Sequence, residues 1–142
     1  NVTTMLVCTL PVIGIFSTPV LGQDIKKSDV LNAVRTHGQM LGSYDYCLAW
    51  VAGSLPRPSL SNEIRDTMFD ADISGSDIEY YNSEYASNYE ALIEQGKLQA
   101  ISDNGALCAQ IGASKENLNY MMDQGVQSEK NIVSMINSLG GS

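Results

Sequence analysis

From Ser28 onward, apolar or ring-bearing residues recur at steps of four and three: Val30, Val34, His37, Leu41, Tyr44, Leu48, Val51. A strand cannot bring such a set to one side, because its side chains alternate with a period of two. A helix of 3.6 residues per turn gathers them into one seam. The spacing therefore predicts a long first helix, N-capped at Ser28. It should stop at "LPRP", residues 55–58, where proline removes a donor and restricts the residue before it.

The same reading parses the rest of the chain. A short second helix is expected from Asn62 to about Asp70, burying Leu60, Ile64 and Met68. "DISGSD" breaks it, and Ser76 with Glu79 has the form of a capping box ahead of a third helix. Ile78, Tyr81, Tyr85, Tyr89 and Leu92 share a broad face of that helix, and the pattern weakens from Gly96 to Gly105. Leu98, Ile101, Leu107 and Cys108 suit a short fourth helix ending near Gly112. The last helix is expected from Ser114, with the seam Leu118, Met121, Gly125, Ser128, Ile132, Met135, Leu139 and the final "GGS" as its stop. No stretch alternates long enough for a strand. The expected fold is all-α, a compact bundle or array of four to five helices with one disulfide.

No charged residue precedes Asp24, and Met5 to Leu21 is an apolar run interrupted by Pro11 and Pro19. That run is too short and too broken for a good spanning helix, while Val20 and Gly22 stand where small residues precede signal-peptidase cleavage. A signal peptide over 1–22 and a single helical domain over 23–142 are expected, in the periplasm or outside the cell, with the mature domain not embedded in a membrane. Cys8 falls in the leader. The remaining pair, Cys47 and Cys108, is expected to be bonded, as an even pair in an exported chain is.

Sixteen acids against eight bases give a net charge of -8, and no lysine or arginine run matches a phosphate backbone, so nucleic acid is not expected as a partner. Neither cysteine belongs to a CxxC motif, and no zinc site or other cofactor is expected. His37, the single histidine, lies on the apolar seam and reads as a hydrogen-bonded core residue. Its chemical alternative is a haem or metal ligand, with Met121 or Met122 as a second axial partner. As a base it is misplaced for Cys47, roughly three turns away along one helix. Asp45, Glu79, Glu84 and Glu90 are the acids nearest aromatic residues, and nothing singles out a catalytic pair among them. Enzymatic activity is not expected.

The tyrosines Tyr80, Tyr81, Tyr85 and Tyr89 carry the stronger functional signal, together with Tyr44, Tyr46 and Trp50. Tyrosine packs like an apolar residue and keeps a polar tip, which suits a wet core edge and a binding surface alike. Tyr81, Tyr85 and Tyr89 share a face and Tyr80 points elsewhere. Tyr85 is expected inside, with Tyr89 or Tyr80 outside and open to a protein partner.

The segment "CLAWVAG", residues 47–53, resembles the cysteine-led helix of small periplasmic immunity proteins, which neutralise secreted bacterial toxins. The likeness covers that segment alone, and the second cysteine pair often found in those families has no counterpart here. In export, helicity and a single cysteine pair the chain is also similar to small periplasmic acid-stress chaperones. The expected function is that of a small exported helical binding protein: an inhibitor, immunity or assembly component that performs no catalysis. A carrier of a small apolar ligand or haem, or a periplasmic stress chaperone, is the alternative.

Overall fold

Five helices form in the parts that the computed structural model describes, residues 24–51, 56–103, 106–114 and 116–139. They are α1 Lys27–Val51, α2 Asn62–Asp70, α3 Gly75–Asp103, α4 Ala106–Gln110 and α5 Leu118–Asn137. The expected leader, Cys8 and the final "GGS" lie outside the described residues, as do the side chains of Trp50, Val51, Ile101 and Leu107. Among the described residues no helix is long and apolar enough to cross a membrane. The all-helical array with one disulfide is the expected architecture.

The helix ends differ in detail from expectation, and each difference has a local cause. α1 begins ahead of Ser28, because the Asp29 carboxylate reaches back to accept from the Lys26 N–H at 2.9 Å while Val30 N–H donates to the Lys26 carbonyl. A carboxylate at the third position thus does the capping, on the side where the helix dipole favours a negative charge. α3 is capped by Ser74 and not by Ser76: the Ser74 hydroxyl accepts from Asp77 N–H, and its carbonyl accepts from Ile78 N–H. Glu79, freed from any capping role, pairs with Arg65 of α2 at 3.1 Å. α3 also runs on through Gly96. That glycine ends nothing; it makes room for the Tyr46 ring, whose Cδ2 would lie 2.5 Å from an added Cβ.

Gly112 does end a helix. It sits at φ +69, with Gly112 N–H bonded to the Ala109 carbonyl and Ala113 N–H to the Cys108 carbonyl, the two bonds of a Schellman stop after α4. Ser114 starts a turn and not α5, since its hydroxyl and carbonyl both accept from Asn117 N–H and Asn117 becomes the N-cap. At the far end α5 stops at Asn137, and Leu139 forms an isolated bridge with Ile25 instead of completing the helical seam.

The four longer helices stand in a square, with α1 and α2 at opposite corners and α3 and α5 at the others. Arg35–Glu84 and Gln39–Asn88 contacts, both 2.8 Å, show α1 and α3 advancing in the same direction. His37–Ser128 and the approach of Leu41 to Gly125 show α5 running against α1. α2 runs against α3, through Leu60–Asn82 and Arg65–Glu79. Two glycines set how closely the parallel pair approaches. A Cβ on Gly38 would lie 2.5 Å from the Tyr85 carbonyl oxygen, and one on Gly42 2.5 Å from that of Tyr89. Backbone meets backbone there.

The main core gathers Val30, Val34 and Leu41 of α1 with Ile64 and Met68 of α2, Tyr81, Tyr85 and Tyr89 of α3, and Ile132 and Ile136 of α5. A smaller cluster of Leu48 and Met121 surrounds the Cys47–Cys108 bond, which ties the end of α1 to α4 with Cα atoms 5.4 Å apart. α2, with 9 residues against the 25 of α1, is too short to cover the square along its length. The segment 56–60 closes the remaining gap.

Candidate functional site

His37, Ser43, Asp45 and Ser128 are the buried polar residues among those described, and three of them fall in two polar groups, His37 with Ser128 and Asp45 with Arg57. His37 is 2% exposed, its Nδ1 stands 2.8 Å from Ser128 Oγ, and its ring centroid is 5.6 Å from that of Tyr85. Burial, with a smaller contribution from the Arg57 charge, pushes its pKa down to about 4. The imidazole is therefore neutral near pH 7. A histidine touching a serine is half of a nucleophilic site. Both groups are closed off from the surface, with Ser128 buried against the ring. Asp45, the buried carboxylate of α1, lies about 12 Å along the helix axis from His37 and is engaged elsewhere.

That engagement is with Arg57. Its Nε reaches both Asp45 oxygens, at 3.1 and 3.0 Å, and its Nη2 also donates to Asp45 Oδ1. The carboxylate side chain is 3% exposed and the arginine side chain 43% exposed, so a half-open guanidinium covers a closed acid. Tyr89 donates its hydroxyl to Asp45 Oδ2 at 3.0 Å and accepts from the Arg57 backbone N–H at 2.9 Å. Tyr85 donates to the Arg57 carbonyl. Desolvation raises the pKa of both phenols, which remain protonated donors. The two tyrosines hold the backbone of the 56–60 segment by its polar groups, in the place that a longer α2 would fill.

The tyrosine strip is thereby placed. Tyr81, Tyr85 and Tyr89 are 4%, 1% and 1% exposed, so these three rings are core and offer no surface to a partner. The core alternative left open by their spacing is the one realised, and Tyr89 is inside because Asp45 and Arg57 supply partners for its hydroxyl. Tyr80, at 49% exposed, is the member of the set that reaches solvent. Arg57 went unread in the sequence, since an arginine between two prolines looks like loop. Gly38 and Gly42 also went unread, although their i, i+4 spacing inside a helix is a legible sign of close approach.

Ligand chemistry finds little purchase here. Among the described residues no three His, Cys, Asp or Glu side chains are grouped as a metal site. Met121 packs beside the disulfide, about 10 Å along α5 from the serine that meets His37, and Met122 is exposed, so neither completes an axial pair with His37. Two grooves among the described residues bear on this, and the larger, near 1190 Å3, is an open cleft where α1 begins and α5 ends, lined by Asp24, Lys26, Asp70, Asp72 and apolar residues such as Ile25 and Ile73. The smaller, near 350 Å3, lies between α2 and α5 and is lined by Glu63, Val126, Glu129, Lys130 and Val133. α5 also carries exposed apolar side chains, with Tyr120, Met122 and Val126 at 61%, 53% and 52%. Met122, Val126, Glu129 and Val133 follow the spacing i, i+4, i+7, i+11 and so form one stripe beside α2. No protein family, curated protein or solved structure matches this chain.

Proposed function

We propose that the chain is a small, non-catalytic protein-binding module working in an oxidising compartment, the periplasm or the extracellular space. The exposed apolar stripe of α5 carries this reading: Met122 and Val126 stand in solvent on a scaffold whose His37, Cys47–Cys108 pair and Asp45 are all committed to internal contacts. Apolar side chains aligned on a helix beside a groove suit a partner better than they suit water. The disulfide supports the compartment, because such a bond persists where thiols are not kept reduced. The open form of both grooves favours a partner surface over an enclosed carrier site.

A photo-crosslinking side chain at Val126, compared with one at Glu90 on the exposed side of α3, tests the reading in the native oxidised fraction. A discrete protein adduct from position 126 and none from position 90 is the expected result. Turnover of a substrate that survives His37→Asn, with no adduct from either position, would replace the module by an enzyme of another design.

A further inference from the structure

The groove between α2 and α5 combines apolar and acidic lining. Val126 and Val133 line it from α5 with Glu129 between them and Lys130 beside them, Glu63 lines it from α2, and Met122 lies a turn further along the same stripe. Glu63, Asp66 and Asp70 are all exposed and follow i, i+3, i+7, so α2 presents one acidic row toward solvent. Asp70 sits in the last turn of its helix, where the dipole disfavours an anion, and no basic residue is present in that turn. It does not help α2. Among the described residues Lys27, Arg35, Arg57, Arg65 and Lys97 are engaged in ion pairs, and Lys130 is the one described cation that lines this groove.

Resting on the binding-module reading, we infer that this groove receives a basic amphipathic helix of the partner protein, its apolar anchors on Val126 and Val133 and its lysines or arginines along Glu63, Asp66 and Asp70. Charge complementarity selects that occupant. A second copy of this chain would bring its own net charge of -8 against the acidic row, and an acidic segment would meet the same repulsion. Val126 and Val133 stand seven residues, about two turns, apart on α5, a distance that apolar anchors at i and i+7 of a docked helix span.

The test uses the oxidised full chain and two fluorescent synthetic helices of equal length, one of leucine and lysine, the other of leucine and glutamate, read by anisotropy at low and moderate salt. Saturable binding of the lysine helix is expected, weakening several-fold with salt, with none of the glutamate helix. Val126→Asp and Asp66→Lys should each weaken it at least tenfold with unchanged melting temperature, while Glu90→Lys, a charge reversal of the same size on α3, should leave it within twofold. Equal losses from Asp66→Lys and Glu90→Lys would mean attraction to the overall charge and would overturn the groove assignment. So would binding indifferent to Val126→Asp. An adduct from position 126 with a native partner, together with failure of the lysine helix, would leave the module in place and refute only the basic helix.

Discussion

At the scale of single residues, His37 couples stability to acid. Its pKa is lowered from 6.5 to about 4 by burial, so between those values the unfolded chain binds a proton that the folded chain refuses. The contribution is fully present above pH 6.5 and is lost as pH falls toward 4, about 3 kcal/mol over the whole interval. Asparagine can meet Ser128 much as Nδ1 does and does not titrate, so His37→Asn should flatten the fall in melting temperature across that interval. A wild-type slope retained in the variant would assign the acid sensitivity to other groups. The Asp45–Arg57 pair is asymmetric in a way that also predicts. Arg57→Ala removes a guanidinium from a 3% exposed carboxylate, whereas Asp45→Ala leaves a 43% exposed guanidinium that water can reach. The first should cost about 3 kcal/mol and clearly more than the second in denaturant melts. Tyr85→Ala, which empties a 1% exposed site, should cost about 3 to 5 kcal/mol. Tyr80→Ala, on an exposed site, should stay within about 0.5 kcal/mol.

At the scale of elements, the meeting of α1 and α3 depends on two absent methyl groups. Gly38→Ala and Gly42→Ala would each set a Cβ against a carbonyl oxygen of the facing helix, and a helix backbone cannot swing aside as a flexible side chain can. Alanine gains about 1 kcal/mol in helix propensity, yet each variant should melt lower than wild type. An unchanged or higher melting temperature would show that the helices separate at little cost. The four-three seams of α1 and α5 were legible in the sequence because period 3.6 is a local property, and Val30, Val34, His37, Leu41 and Leu48 are all buried where the pattern placed them. The Gly112 stop was legible for the same reason. The capping residues were less so, since Ser28 and Ser76 are as good candidates chemically as the Asp29 and Ser74 that perform the task. Of the tyrosines, the burial of Tyr85 and the exposure of Tyr80 were legible, and the place of Tyr89 was not. Its burial depends on Arg57, a residue remote in sequence that reaches Asp45, Tyr85 and Tyr89 only once the square has closed.

At the scale of the whole molecule, the Cys47–Cys108 bond spans 61 residues and should contribute about 4 kcal/mol by restricting the unfolded chain. Native protein should show no alkylatable thiol at these two positions, and reduction should lower its melting temperature markedly. The parallel course of α1 and α3 reaches further, into the order of assembly. An antiparallel pair of helices forms through near neighbours in sequence, but Arg35 meets Glu84 across 49 residues and His37 meets Ser128 across 91. Among the described residues α2 and α3 make a local hairpin, with Arg65 and Glu79 separated by 14. Closing the long loops costs entropy before their contacts return any stabilisation. The chain should therefore fold more slowly than up-and-down bundles of its size, in milliseconds or longer by stopped flow. The α2–α3 hairpin should assemble early and α1 should dock late. Ile64→Val should then slow refolding, while Gly42→Ala should mainly hasten unfolding, and the reverse pattern would place α1 in the nucleus.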